Sequence, residues 1–201
     1  MAWPQADGAS PALGLAECLQ CEAQAPEFDR AVVAVHYAAP WSQLIARLKF
    51  QRRSALAPAM GRLLAQAAQV SAAASPAGWP DVVLPVPLSA QRLQERGFNQ
   101  SWLLARACAT ELGLRCRHDV LLRTRHTSRL MQMSAPDRAL ALDQAFAVAP
   151  AQSHWVLGAH VALVDDVLTT GATLDAASRA LRDAGARSVS AWVLARTGLG
   201  P

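Results

Sequence analysis

Lysine is nearly absent from this chain: of its 19 basic residues only Lys49 is lysine, and the others are arginine. Arginine carries a planar fork that holds phosphates and carboxylates by paired hydrogen bonds. The resulting net charge of +4 therefore permits an anionic ligand without marking a nucleic-acid binder. Long hydrophobic runs are missing as well. Apolar residues make up 52% of the chain, but alanine supplies much of that fraction and no stretch reaches bilayer length. The opening MAWPQADGAS lacks the basic start and apolar stretch of a secretion signal, so a cytoplasmic location is expected. Cysteine is sparse. Cys18 and Cys21 form a CxxC, whereas Cys108 and Cys116 stand apart, so neither a disulfide framework nor a second pair to close a four-ligand zinc site is present. The five histidines are scattered without the spacing of a helix-borne metal site. Neither GK[ST] after a glycine-rich run nor GxGxxG occurs, which excludes the Walker A loop and the dinucleotide fingerprint.

What is present alternates between strand and helix. The 201 residues fit one main domain. Residues 1–27 are short of apolar periodicity and read as a tail or partial zinc-ribbon-like segment, with the folded body over 28–201. β-Branched or continuous apolar runs at 30–37, 81–87, 119–125, 160–166 and 187–195 predict strands. Helical spacing or capping residues at 40–50, 54–70, 99–113 and 173–185 predict helices. Residues 71–80 form a loop, and 124–138 an exposed, mobile, arginine-bearing arm. The six tryptophans are read as core, with Trp41 or Trp102 able to stack on a base. Strands alternating with helices give an α/β class with a mainly parallel sheet.

One stretch carries the chemistry: LVDDVLTTGATL, residues 163–174. In open α/β sheets ligands bind beyond the carboxyl ends of the strands, and Asp165 and Asp166 stand at such an end. The loop Thr169, Thr170, Gly171, Ala172, Thr173 leads into a helix. Its N–H groups and hydroxyls suit a phosphate, aided by the helix dipole. Carboxylates repel phosphate, so the two acids serve a different group; their acceptor oxygens suit two hydroxyl donors. Vicinal hydroxyls beside a phosphate describe a ribose 5-phosphate. On this reading both acids serve the ligand and contribute little to the fold. A single aspartate here is more often a helix cap, and threonines are common turn residues; two acids with a hydroxyl-rich glycine turn make that reading the weaker one.

VALVDDVLTTGATL resembles the phosphoribosyl pyrophosphate (PRPP) motif of type I phosphoribosyltransferases. LPVPLSAQRLQERGFNQSWLLA (residues 84–105) and LIARLKF (residues 44–50) resemble the ComF/GntX family, a branch associated with DNA uptake for competence and with gluconate utilisation. The resemblance implies a type I phosphoribosyltransferase fold. It implies ribose binding by Asp165 and Asp166 as the catalytic acids, either of which could instead act as a proton acceptor, and 5-phosphate binding by Thr169 to Thr173. Val86, Pro87, Leu88 and Ser89 would lie near the pyrophosphate, with Arg92 and Arg96 as its partners. The arm would be a lid bearing Arg125, Arg129 and Arg138 that closes over PRPP. Magnesium would accompany PRPP. Cys18 and Cys21 look like the last pair of the family's N-terminal zinc module, whose first pair is missing. The chain departs from the family in the lid, where Leu130 and Ala141 replace a glutamine and an asparagine. Two functions follow: transfer of the phosphoribosyl group to an unidentified acceptor with release of pyrophosphate, or a non-catalytic PRPP- or nucleotide-binding accessory of DNA uptake, whose basic arm contacts single-stranded DNA or the competence machinery.

Overall fold

The computed structural model describes residues 25–51, 53–73, 75, 78–124 and 145–198. Four parallel strands form the main sheet in the order β1-β6-β5-β2: β1 (Arg30–His36), β2 (Val82–Pro85), β5 (His160–Leu168) and β6 (Ser188–Arg196). A two-stranded antiparallel ribbon, β3 (Leu121–Arg123) with β4 (Phe146–Val148), stands apart from it. Helices α1 (Trp41–Phe50), α2 (Ala57–Ala73), α3 (Ala90–Arg96), α4 (Gln100–Leu112) and α5 (Ala172–Asp183) complete the described body, with short 3-10 turns at Ser54–Leu56 and Pro150–Trp155. None of the described helices is long and apolar enough to cross a membrane.

The core lies on both faces of the sheet, because successive strand residues point to opposite sides. Val82, Leu84, Val161 and Leu163 pack with Leu174 and Leu181 of α5 and with Phe146 of the ribbon. Their neighbours Val83, Ala162 and Val164 pack on the other side with Ile45 and Leu48 of α1, Leu64 of α2 and Leu104 of α4. Burial on both faces explains the unbroken apolar runs of β2 and β5. On the second face, α2 and α4 approach so closely that a Cβ at Gly61 would collide with Ala107.

Helix ends follow local chemistry. Asn99 caps α4 by accepting from Ser101 N at 2.9 Å, and Gly113 ends it in the left-handed region at φ 67°. Several elements differ from the sequence expectation, among them α3 (Ala90–Arg96), where no helix is expected. β5 runs to Leu168 rather than ending at 166, because Val167 and Leu168 keep pairing with Ala195 and Arg196. α2 continues through Ala73, since the alanine-rich 71–73 favours helix until the loop proper. β4 went unread because three residues carry no recognisable period. The tryptophans also differ: among the described residues Trp192 alone is buried, Trp79 is exposed, and Trp102 and Trp155 lie half-buried against His118 and Arg117.

Candidate functional site

β5 is an inner strand, and it delivers Asp165 and Asp166 near the carboxyl end of the sheet. The chain then turns through Thr169 and Thr170, both exposed, to Gly171, whose φ of 83° admits glycine readily. Gly171 occupies the N-cap of α5 and no side chain caps that helix, so its first N–H groups face the turn. Asp165, Thr169, Thr170, Gly171, Ala172 and Thr173 line one cleft of about 40 Å³. The acid and the phosphate-type loop therefore share a single opening.

The two aspartates differ. Asp165 Oδ1 accepts from Ser101 Oγ on α4 and from Asp166 N, each at 2.8 Å. Burial, then the neighbouring Asp166 carboxylate, pushes the Asp165 carboxyl up to about 7, against the pull of its hydrogen bonds and of Lys49. Asp166 is 4% exposed; its Oδ1 lies 2.8 Å from Lys49 Nζ, and its Oδ2 is buried without a hydrogen bond among the described residues. Asp166 thus departs from the expectation that both acids are dispensable to the fold, since a buried ion pair tied to α1 is part of the packing.

At the end of β2, Val86 is held by its N–H to Val164 O at 2.8 Å and accepts from Asn99 Nδ2 at 3.0 Å. Pro87 and Leu88 are half-buried, and Ser89 caps α3 by accepting from Arg92 N at 3.3 Å. Arg92 and Arg96 differ in turn. Arg92 is exposed, whereas Arg96 donates to Gln100 Oε1 at 2.9 Å and covers the Phe50 ring at 5.3 Å. Arg123 on β3 packs its guanidinium 5.1 Å from the Phe146 ring. Burial lowers its pKa, the charge of Arg92 lowers it further and Asp165 opposes both, so Arg92, Arg123 and Asp165 share one neighbourhood.

The lid positions Arg125, Arg129, Leu130, Arg138 and Ala141 lie outside the described residues, as do Cys18 and Cys21. Among the described residues no group of three or more histidine, cysteine, aspartate or glutamate side chains is arranged to hold a metal ion.

Sequence reasoning passed over Lys49, Ser101 and Arg123. A signal existed for the first two. Lys49 is the sole lysine, and Ser101 occupies the inward face of α4 with Leu104, Ala105 and Cys108, at helical spacing where only apolar side chains are expected.

A family model for the phosphoribosyl transferase domain matches residues 99–200. Competence protein F of Haemophilus influenzae is 36% identical over 179 residues, covering 89% of this chain and 78% of that protein. The DNA utilization protein YhgH of Salmonella typhimurium is 37% identical over 190 residues, covering 94% and 80%. Among solved structures, an allosteric regulatory enzyme of purine biosynthesis matches at 25% identity with a TM-score of 0.47, over 70% of this chain and 25% of that one.

Proposed function

The chain belongs to the phosphoribosyltransferase domain family, in the ComF branch of competence proteins, and on that premise we propose that it binds PRPP at the carboxyl ends of β2 and β5 and transfers the phosphoribosyl group to an acceptor. The observation that carries the reading is the shared cleft of Asp165 and the Thr169–Thr173 turn at an uncapped helix start. Phosphate attracts the free N–H groups of α5. Both hydrogen bonds to Asp165 engage Oδ1, which leaves Oδ2 to accept from a ribose hydroxyl. Asp166, held by Lys49, keeps an Oδ2 without a hydrogen bond among the described residues, and this sealed atom would reach the second hydroxyl only once the site opens to admit the ring. Arg92 and Arg123, with the backbone of Val86 to Ser89, take the pyrophosphate; Arg96 is partly committed to Gln100 and Phe50. The lid would comprise Arg125, Arg129 and Arg138. The phosphoribosyltransferase unit is 28–201, supported by the burial of Phe28 in the core.

In the transfer, a lone pair of the acceptor forms the bond to C1 and the C1–O bond breaks. The electron pair departs on pyrophosphate, and the acceptor gives up a proton to solvent. The protein contributes position: the acids fix the ring and the turn fixes the phosphate end, which turns an encounter into a near-attack geometry. Magnesium would accompany PRPP as the counterion of its pyrophosphate. Free Cys108 and Cys116 suit a reducing cytoplasm.

The departures at Leu130 and Ala141 favour a second reading, a PRPP-binding accessory that has lost turnover and serves DNA uptake, the association that the relatives' names carry. One experiment divides the two. PRPP is titrated into the full chain, and pyrophosphate release is then measured with PRPP, magnesium and a panel of nucleobases and amines. Binding with release establishes the transferase, binding without release from any acceptor establishes the accessory, and no PRPP binding removes both.

A further inference from the structure

Phe50, the last residue of α1, is 71% exposed. A single exposed apolar side chain is ordinary on a protein surface, but three features set this one apart. First, the Arg96 guanidinium lies 5.3 Å from the ring centroid, so the ring is held by a cation while most of its surface stays open. Second, Arg96 is itself fixed by Gln100 Oε1 at 2.9 Å, and Gln100 is buried at 4% exposure. Third, the chain neighbours of both anchors hold the acid pair. Lys49, next to Phe50, pairs with Asp166 at 2.8 Å, and Ser101, next to Gln100, donates to Asp165 at 2.8 Å. The helices that carry Phe50 and Gln100 are thus the ones that supply the partners of the two aspartates. Arg47 on the same helix and Arg53 just beyond it are both exposed and add positive charge to this stretch of the chain.

We propose that Phe50, with Arg96 behind it, is a stacking site for a nucleobase ring. An exposed aromatic face among arginines binds bases by stacking with little demand on base identity, and the surrounding charge favours anionic or electron-rich rings. The ring has two sources, a free base or a base within single-stranded DNA. If the acid pair binds ribose as read above, a free base stacked on Phe50 is the class of acceptor the transfer requires; the stacking itself does not rest on that reading.

The test titrates the full chain, by calorimetry, with adenine, with uracil and with a short oligothymidylate, and separately with PRPP. Wild type is compared with Phe50→Ala and Phe50→Trp, and thermal unfolding verifies that the variants are folded. The expected result is binding of free base or oligonucleotide that falls by about ten-fold or more in Phe50→Ala, is retained in Phe50→Trp, and leaves PRPP affinity unchanged. Preference for free base identifies an acceptor. Preference for the strand, weakening steeply with salt, identifies single-stranded DNA. Equal binding by Phe50→Ala, or no binding of either probe by wild type, overturns the stacking site whatever PRPP does. Failure of PRPP to bind, with base binding still dependent on Phe50, overturns the transferase reading and not this one.

Discussion

Lys49 Nζ lies 2.8 Å from Asp166 Oδ1, and the carboxylate is nearly sealed from solvent. The chain's single lysine therefore compensates a buried acid on the strand that also carries Asp165. Breaking a buried pair on one side strands the other charge, which costs about 3–5 kcal/mol. Lys49 keeps a side-chain exposure of 20%, so Lys49→Met is expected near the lower end, about 3 kcal/mol or a loss of roughly 6–12 °C in Tm for a chain of this size. Adding Asp166→Asn to Lys49→Met removes the stranded charge and should recover part of that loss. A Lys49→Met protein that melts with wild type would show that solvent, not the lysine, satisfies Asp166.

Two groups give opposite pH slopes to stability. The Asp165 carboxyl is raised from 3.8 to about 7, so the folded state holds its proton more tightly than the unfolded state. That contribution is full below about 4 and is lost as pH rises through about 7. His160, buried at the start of β5 and bonded to Ser190 Oγ at 3.1 Å, is lowered from 6.5 by burial first. Its folded form resists protonation, so stability falls as pH drops below 6.5. Asp165→Asn is expected to reduce the decline between pH 4 and 7, leaving the part due to Asp175, whose carboxyl burial also raises, and to leave the acid-side loss in place; His160→Gln should reduce the acid-side loss and keep the decline. Chemical denaturation across pH reads both slopes, and an unchanged profile in Asp165→Asn would contradict the raised carboxyl.

A third expectation concerns the seat of Ser101. α4 is pressed against α2 at Gly61, where an added Cβ meets Ala107 and the backbone N of Cys108 at 3.0 Å. In an exposed helix Gly→Ala gains up to about 1 kcal/mol. Here overpacking reverses the sign, and Gly61→Ala is expected to cost about 1–3 kcal/mol. Equilibrium unfolding measures it, and a stabilised variant would mean that the two helices part without penalty.

Much of this was legible in the residues, for reasons that differ by element. α4 announced itself through Asn99 and Gly113, because capping is local chemistry. β2 and β5 did so through continuous apolar runs, because a parallel sheet covered by helices on both faces demands them. The motif gave the Asp165 neighbourhood and its turn. It could not divide the aspartates, since the difference comes from Lys49 and Ser101, which are 117 and 64 residues away in sequence and are brought in by α1 and α4. Arg123 was hidden for the same reason, its role depending on a three-residue ribbon that local pattern does not reveal.

The last expectation separates ligand binding from folding at the acid pair. In Asp165→Asn an oxygen remains to accept from Ser101, so the fold persists, and above pH 7, where the raised carboxyl is ionised, the charge facing the cleft is lost. If Asp165 accepts a ribose hydroxyl, PRPP should bind roughly ten- to a hundred-fold more weakly, the net worth of a charged hydrogen bond. Inorganic phosphate occupies only the turn at α5, and it should bind as well as in wild type or slightly better, because one repelling charge is gone. Asp166→Asn should weaken PRPP in the same sense, but with a lower Tm, since Lys49 then lacks its counter-charge. Paired titrations of PRPP and phosphate with thermal unfolding distinguish the outcomes. Normal PRPP binding by Asp165→Asn would remove the ribose assignment, and equal loss of PRPP and phosphate would place the carboxylate in the architecture of the turn instead.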